Sequence, residues 1–116
     1  MKPRILLVDD DAEICQFLEV LLELEGFETR VATTAAAALD AVGGSSAVLL
    51  DLAMPGMDGL ELCRHMRSAG FRGPILVVSA RPGADLPRKT EEAGANGFVR
   101  KPFDNAELLS RLRALL

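Results

Sequence analysis

The chain is poor in the residues that mark several specialised classes of protein. It has no tryptophan or tyrosine, so its basic residues are not interleaved with aromatics as on a nucleic-acid platform, and we expect no direct binding to nucleic acid. Its two cysteines, Cys15 and Cys63, lie in apolar stretches of helical character. Buried free thiols are therefore expected rather than a disulfide framework or a thiolate metal site.

Long hydrophobic runs are also lacking. None approaches the roughly 18 residues that a membrane-spanning helix requires, so no contact with a membrane is expected. The N-terminus enters an apolar run of only four residues, Ile5 to Val8, which is too short for a signal peptide, and a cytoplasmic location is the expectation. With 116 residues and a hydrophobic fraction of 49%, the chain has the size of one domain with one core.

Acidic and basic residues are unevenly distributed along the chain. Residues 1–60 carry 3 basic and 11 acidic side chains, whereas residues 61–116 carry 10 basic and 6 acidic ones. Such a division can indicate a surface that binds a partner. It can equally arise from scattered helices whose charged residues simply face solvent. Both interpretations stay open at this point.

Short apolar runs alternate with longer stretches of helical period. The predicted strands are Arg4–Val8, Thr29–Ala32, Ala47–Leu50, Ile75–Val78 and Gly97–Arg100. The predicted helices are Ala12–Glu25, Thr34–Val42, Leu60–Ser68, Asp85–Gly94 and Asn105–Leu115. Ala47–Leu50 and Ile75–Val78 are apolar throughout, and the first strand is apolar after Arg4, as expected when helices cover both faces of a parallel sheet. Five β–α units in succession predict an α/β fold with a doubly wound parallel sheet, because right-handed crossovers place helices on both faces.

Polar residues follow four of the five predicted strands. Asp9 and Asp10 follow the first strand, Asp51 the third, Ser79 the fourth and Lys101 the fifth. In an open α/β sheet, ligands bind outside the carboxyl ends of the strands. The sequence therefore predicts one site at that edge, built from these side chains.

The three aspartates of this set predict a metal site. Like charges a few ångströms apart raise each other's pKa and destabilise the fold unless a cation joins them. Carboxylate oxygens with no histidine or thiolate nearby suit Mg²⁺ better than Zn²⁺, so Mg²⁺ is the expected cofactor. Asp11 is instead expected to cap the first helix. A capping role at the positive end of that helix remains the alternative for Asp9 and Asp10 as well.

Asp51 begins a loop that is rich in turn residues, with Pro-Gly at 55–56 and Asp-Gly at 58–59. A carboxylate on such an exposed loop can act as a nucleophile in phosphoryl transfer and form an aspartyl phosphate. The transition state needs in-line positioning and positive charge more than covalent help. Lys101 supplies a charge and Ser79 a hydroxyl donor, so the set predicts a phosphoryl acceptor.

The motifs of the chain, at this order and spacing, resemble the receiver domain of two-component response regulators, the CheY-like family. The matching segments are Val8-Asp9-Asp10, Asp51 to Gly59, Ser79-Ala80-Arg81, Ala93-Gly94-Ala95 and Phe98 to Phe103. The resemblance implies one receiver domain over residues 1–116, with a flavodoxin-like sheet of strand order 2-1-3-4-5 and five helices. It also implies a signalling switch rather than a metabolic enzyme.

The resemblance assigns roles to the acidic residues. Asp51 is implied to be the phosphoacceptor, and a phosphorylated histidine of a sensor histidine kinase is implied to be the donor. Mg²⁺ is implied to be bound by Asp10, Asp51 and the backbone carbonyl of Ala53, with Asp9 contributing through water.

The resemblance also implies how a signal leaves the site. Ser79 and Lys101 would bind the phosphoryl oxygens, and the Lys101–Pro102 bond is expected to be cis. The phosphoryl group would draw the Ser79 hydroxyl inward, and the ring of Phe98 would enter the vacated space. The face formed by the fourth helix, the fifth strand and the fifth helix would then be re-formed.

Two positions depart from the commonest family patterns. Position 98 is Phe rather than Tyr, so the ring has no hydroxyl to bond when it lies outside. Asn96-Gly97 replaces the acidic pair of the transcription-factor subfamily whose receivers dimerise through this face, and Pro87 lies in the fourth helix. A phosphorylation-dependent homodimer, an output domain and an effector protein all stay open as partners.

Two other functions fit parts of the pattern. A haloacid dehalogenase-type phosphatase also uses a strand-end Asp, Mg²⁺ and a Lys, and residues 9–11 offer its D-x-D motif. That family needs Thr or Val two places after its second Asp, where this chain has Glu13. A phosphorylation-independent docking module would have lost the acceptor or the lysine, and both Asp51 and Lys101 are present.

Overall fold

Strands and helices alternate along the chain, as the apolar runs predict. The computed structural model of the protein describes residues 2–116. The strands are β1 (Arg4–Val8), β2 (Glu28–Ala32), β3 (Ala47–Leu50), β4 (Ile75–Ser79) and β5 (Gly97–Arg100). The helices are α1 (Ala12–Leu24), α2 (Ala35–Val42), α3 (Gly59–Ser68), α4 (Leu86–Glu92) and α5 (Asn105–Leu115). Among residues 2–116, no helix has the length and hydropathy to cross a membrane.

The five strands form a single sheet in the order β2-β1-β3-β4-β5, and every neighbouring pair is parallel. This confirms the predicted doubly wound α/β fold with strand order 2-1-3-4-5. From β1 the chain first adds β2 on one side and then crosses over to add β3 on the other, so the order of strands reverses between β1 and β3. The crevice of such a sheet therefore opens at the carboxyl ends of β1 and β3.

Helices cover both faces of the sheet, and successive strand residues point to opposite faces. Leu6 and Val8 of β1 pack with residues of α2, α3 and α4, whereas Ile5 and Leu7 pack with residues of α1 and α5. Almost every position of the central strands β1, β3 and β4 is consequently buried, which is why their sequences are apolar apart from Arg4 at the start of β1 and Ser79 at the end of β4. The edge strands β2 and β5 are partly exposed and retain polar residues.

Several helix ends differ from the prediction by one or two residues, and capping explains most of the differences. The Thr34 hydroxyl oxygen accepts a backbone N–H of the first turn of α2, so Thr34 precedes the helix. Asp58 caps α3 in the same way, and that helix begins at Gly59. Helix α4 is shorter than predicted at both ends. Asp85 precedes it, and Gly94, with φ of +109°, leads the chain away from it.

Both cysteines are free and buried, as expected from their apolar surroundings. Burial, together with the nearby charge of Asp9, raises the pKa of the Cys15 thiol in α1 to about 11. Burial also raises the pKa of Cys63 in α3. The two thiols therefore stay protonated at neutral pH and serve as core residues.

Candidate functional site

The edge at the carboxyl ends of the strands, called here the carboxyl edge, carries the predicted aspartates. Asp9 follows β1 and Asp51 follows β3, and these strands are neighbours in the sheet. The Asp51 N–H donates to the Val8 carbonyl at 2.9 Å, which extends the pairing of the two strands to Asp51. Both carboxylates are consequently drawn into the protein, with only 5% of Asp9 and 8% of Asp51 exposed.

Asp10 completes an acidic cluster with Asp9 and Asp51. One carboxylate oxygen from each residue lies within 4.8 Å of the others. Asp10 is exposed, so the cluster opens to solvent on that side. Asp11 is not part of it, because its carboxylate accepts two backbone N–H groups in the first turn of α1. The structure thus brings together the three predicted aspartates and confirms the capping role of the fourth.

Lys101 is a cation that faces this cluster. Its Nζ donates to Asp9 Oδ2 at 2.9 Å and lies 3.8 Å from Asp51 Oδ2. The Lys101 N–H donates to the Ser79 carbonyl at 3.0 Å, which holds the segment after β5 beside the end of β4. The Lys101–Pro102 peptide bond is cis, as expected.

The pKa of Asp51 is raised above its ordinary value. Burial is the largest cause, and the negative charge of Asp9 adds to it. The Lys101 ammonium and the N–H of Ala53, which lies 3.4 Å from Asp51 Oδ1, act in the opposite direction without cancelling it. Burial and the Asp9 charge therefore disfavour the ionised form of Asp51, and a cation bound at the cluster would stabilise it.

The donor atoms of the cluster fit a divalent cation that prefers oxygen. They are all carboxylate oxygens, which are hard ligands. Mg²⁺ suits a site of one or two carboxylates completed by a backbone carbonyl and waters. Ala53, whose carbonyl is a predicted ligand, is exposed and follows Asp51 by two residues. Its participation and the water-mediated role of Asp9 stay predictions.

Ser79 ends β4 at the same edge and is fully buried. Its Oγ accepts the N–H of Arg81 at 3.0 Å. Phe98 pairs in register with Val77, two residues before Ser79, and the half-buried ring packs against the core between the sheet and helices α2, α3 and α4. The side chains of Ser79 and Phe98 therefore lie on the same face of the sheet. The residue paired directly with Ser79 in β5 is Arg100.

The loop after Asp51 is less exposed than its turn residues indicate. Leu52 and Met54 are buried and anchor the loop from within. Gly59 donates its N–H to the Leu52 carbonyl at 3.2 Å, and a Cβ at position 59 would overlap the backbone of Leu52. The expectation of an exposed loop is corrected in this respect, because Leu52 and Met54 join the core while Ala53, Pro55, Gly56 and Asp58 are exposed.

A network around Arg67 in α3 lies beyond what sequence reasoning predicts. Asn96 contributes its Oδ1, which accepts from Arg67 at 2.8 Å and from the N–H of Ile75 at 2.9 Å. The guanidinium also donates to the backbone carbonyls of Phe71, Gly73 and Gly94. This network ties the end of α3 to the segments that lead into β4 and β5. An isolated arginine carries no signal for such contacts, since most of its partners are backbone atoms.

Two further arginines surround the site. Arg81, which follows β4, pairs with Asp58 at the start of α3 at 3.2 Å. Arg100 donates to the carbonyls of Arg81 and Gly83 at 2.7 Å and 3.0 Å. Arg81 belongs to a matched motif, but its ion pair across the mouth of the site becomes visible only in the fold.

The position of Asp11 bears on the phosphatase alternative. A D-x-D site needs both of its carboxylates at one place. Asp9 lies in the acidic cluster, whereas Asp11 is engaged at the N-terminus of α1. Residues 9–11 match the D-x-D spacing only superficially, because Asp9 belongs to the cluster and Asp11 caps α1.

A doubly wound sheet with an acidic cluster, a lysine and a serine at its carboxyl edge defines a signalling module of the receiver class. The family described as the response regulator receiver domain matches residues 5–113. The chain belongs to this family, which confirms the resemblance seen in its motifs and favours neither alternative function.

Relatives of this chain are longer response regulators. Response regulator MprA of Mycobacterium sp. (strain KMS) is 42% identical over 118 residues, an alignment that covers 100% of this chain and 51% of MprA. The chain thus spans about half the length of the curated relatives it matches.

Solved structures are similar over nearly the whole chain. The BeF3-activated N-terminal receiver domain of Klebsiella pneumoniae RstA matches with a TM-score of 0.91 and 29% identity, covering 97% of each chain. The Vibrio cholerae chemotaxis protein CheY4 matches with a TM-score of 0.89 and 28% identity, covering 100% of each chain.

Proposed function

We propose that residues 1–116 act as one receiver domain in which Asp51 accepts a phosphoryl group from a phosphorylated histidine of a sensor histidine kinase. One observation carries the proposal: the carboxylates of Asp9, Asp10 and Asp51 converge on the carboxyl edge, with the Lys101 ammonium 3.8 Å from Asp51 Oδ2. Phosphoryl transfer depends on positioning and on compensation of charge, and this arrangement offers both.

The proposed step balances as a simple exchange of bonds. A carboxylate oxygen of Asp51 attacks the phosphorus of the phosphohistidine, and an O–P bond forms while the P–N bond breaks. The imidazole nitrogen leaves with the electron pair. Hydrolysis of the resulting acyl phosphate by water returns the carboxylate and releases inorganic phosphate, so the domain resets itself as a switch.

The residues that would hold Mg²⁺ are Asp10, Asp51 and the carbonyl of Ala53, with Asp9 acting through a water molecule. When bound, the ion supplies positive charge that stabilises the charge on the phosphoryl oxygens. The raised pKa of Asp51 supports the assignment, because burial and the charge of Asp9 disfavour the ionised carboxylate and a bound cation would favour it.

Lys101 and Ser79 are the groups that we assign to the phosphoryl oxygens. The Lys101 ammonium already lies between Asp9 and Asp51, so it needs only to exchange its contact with Asp9 for one with a phosphoryl oxygen. The Ser79 oxygen accepts the Arg81 N–H, and its own proton can be donated toward a group on Asp51. Both groups would then stabilise the negative charge that develops on the phosphoryl oxygens.

Incubation of the chain with acetyl phosphate tests this function directly. In Mg²⁺ we expect intact mass spectrometry to show a single phosphoryl adduct, and tandem spectra to place it on Asp51. An excess of chelator should remove the adduct, because the acidic cluster then lacks its cation. An adduct that forms equally well in chelator, or that maps to another residue, would contradict the proposal.

Mg²⁺ should also raise the thermal stability of the domain. Binding to the folded state alone raises the melting temperature by mass action. Asp10→Asn should abolish this rise, because it replaces an anionic ligand with a neutral amide. In chelator the substitution should change the unfolding free energy by no more than about 1 kcal/mol, since exposed charges interact weakly.

Asp104→Asn is the matched control for this measurement. Asp104 caps α5 through its carboxylate, and asparagine caps helices equally well. This variant should keep the full response to Mg²⁺ in calorimetry or in thermal unfolding followed by circular dichroism. A full Mg²⁺ response in Asp10→Asn would show that the ion binds elsewhere.

We assign the output of the switch to the face formed by α4, β5 and α5. A groove of about 730 Å³ lies on this face, and the ring of Phe98 contributes to its lining. Movement of that ring after the Ser79 hydroxyl turns inward would alter the groove and so the affinity for a partner. The longer relatives support an output domain or a separate effector as that partner.

A homodimer through the same face has less support. Arg111 pairs with Glu107 at 3.5 Å and donates to the Phe98 carbonyl at 3.2 Å within its own chain. Asn96, where the dimerising subfamily has an acidic residue, binds Arg67. These internal contacts occupy charged and polar groups that an interface of that kind would need.

A further inference from the structure

The side chain of Arg100 joins three parts of the proposed switch. Residues 80–85, called here the β4–α4 loop, connect the strand that ends in Ser79 to the next helix. The Arg100 guanidinium donates through Nη1 to the carbonyl of Arg81 at 2.7 Å and through Nη2 to that of Gly83 at 3.0 Å. It also lies over the ring of Phe98, 5.2 Å from the centroid.

These contacts bear on Ser79, which is the register partner of Arg100 in the sheet. The Ser79 oxygen accepts the Arg81 N–H at 3.0 Å, while Arg100 binds the carbonyl of the same residue. Arg81 is thus held from both sides. If the Ser79 side chain turns toward Asp51, the Arg81 N–H loses its acceptor, and the loop has to shift to satisfy that group.

We propose that Arg100 is a positioning residue that holds the β4–α4 loop, and with it Ser79 and Phe98, in the arrangement in which the Ser79 oxygen accepts the Arg81 N–H. The inference rests on the proposed function at Asp51. A shift of the loop breaks or rearranges two charge-assisted hydrogen bonds and a cation–π contact. Arg100 therefore favours the arrangement in which Ser79 binds Arg81 over one in which Ser79 has turned toward a phosphoryl group, and this difference in contacts biases the equilibrium between the two.

The affinity for beryllofluoride, a phosphoryl mimic, measures this bias. The chain has no tryptophan, so the titration in Mg²⁺ is followed by amide chemical shifts or by calorimetry. Arg100→Gln should tighten beryllofluoride binding about three- to tenfold, the range expected from the net loss of one or two hydrogen bonds. Arg100→Lys should be intermediate, because an ammonium cannot bind both carbonyls as the planar fork does.

Arg88→Gln is the matched control. Arg88 lies in the neighbouring α4 and is exposed, and within residues 2–116 its guanidinium pairs with Glu92 at 2.8 Å. It removes the same charge from the same region without touching the loop, so its affinity should match that of wild type. A general effect of lost positive charge would instead tighten beryllofluoride binding equally in Arg100→Gln and Arg88→Gln, and that result would overturn the role of Arg100.

Hydrogen exchange provides a second measurement on the same proteins. Without beryllofluoride, amides of residues 80–85 should exchange faster in Arg100→Gln than in Arg88→Gln, because the loop has lost its tether. A merely structural role would lower the melting temperature and leave beryllofluoride affinity unchanged. Unchanged or weaker affinity in both Arg100 variants, in a protein whose wild type binds, would overturn this inference alone.

Failure of the underlying function gives a different result. Beryllofluoride bound to an aspartyl carboxylate mimics the phosphorylated acceptor, so Asp51→Asn should not bind it. If wild type does not bind, or if Asp51→Asn binds as well as wild type, the proposed function at Asp51 fails and the role of Arg100 fails with it.

Discussion

Asp51→Asn is expected to eliminate the phosphoryl adduct that acetyl phosphate produces in the presence of Mg²⁺. The amide of asparagine nearly preserves the shape of the side chain and keeps one oxygen, but it lacks the anionic nucleophile that attacks phosphorus. Intact mass spectrometry after incubation, with the same donor and metal concentrations, compares the variant with wild type.

Unfolding should not account for this loss. The pKa of Asp51 is raised by burial and by the charge of Asp9, so its ionised form is unfavourable in the absence of metal. Removing that charge should leave the melting temperature in chelator equal to or higher than that of wild type.

Asp40→Asn is the matched control for the acceptor. Asp40 is an exposed residue of α2, remote in the fold from the carboxyl edge, and its replacement should leave the adduct at the wild-type level. An undiminished adduct in Asp51→Asn would place the acceptor on another residue and overturn the assignment. An adduct lost in both variants would instead indicate a general effect of reduced charge.

Lys101→Met is expected to have the second large effect, on both stability and chemistry. Its ammonium lies 2.9 Å from Asp9 and 3.8 Å from Asp51, and both carboxylates are buried. Removing the partner of buried charges should lower the unfolding free energy in chelator by about 2–4 kcal/mol. It should also slow phosphorylation by a factor of about 100, as loss of one positioned electrostatic donor does elsewhere.

Mg²⁺ should stabilise Lys101→Met more than it stabilises wild type. Without the ammonium, the cluster has a greater excess of negative charge and a higher affinity for a cation. Thermal unfolding at increasing Mg²⁺ gives the difference directly. An equal response in the two proteins would show that Lys101 and the ion do not act on the same carboxylates.

Lys89→Met serves as the control for the loss of a lysine. Lys89 forms an ion pair with Asp85 at 3.2 Å, but 47% of its side chain is exposed. Solvent screens such a pair, so the variant should retain nearly the stability and the phosphorylation rate of wild type. A comparable loss in both lysine variants would contradict the importance of burial at Lys101.

The convergence of the predicted residues could be anticipated because it depends on topology rather than on side-chain geometry. Once the strands are known to be parallel, the residues after them must share one edge, whatever their rotamers. Asp9, Asp51 and Lys101 meet there for that reason. The exclusion of Asp11 was also predictable, since an aspartate directly before an amphipathic helix is a typical cap.

The details of the switch could not be predicted in the same way. Register places Phe98 beside Val77 and Arg100 beside Ser79, and a shift of one residue would have reversed the faces of β5. The contacts of Arg67 and Arg100 are to backbone carbonyls, which exist at every position and carry no sequence signal.

The sequence by itself therefore determined the element order, the strand order through its family motifs, and the identity of the acidic cluster, its lysine and its serine. These follow from periodicity and from the order of residues along the chain. The tertiary structure alone decided how deeply Asp9 and Asp51 are buried, how far Lys101 compensates them, and which backbone groups the arginines hold. The burial of these carboxylates, their distances from Lys101 and the upward shift of the Asp51 pKa all depend on residues that are remote in sequence. They are therefore set only when the chain folds.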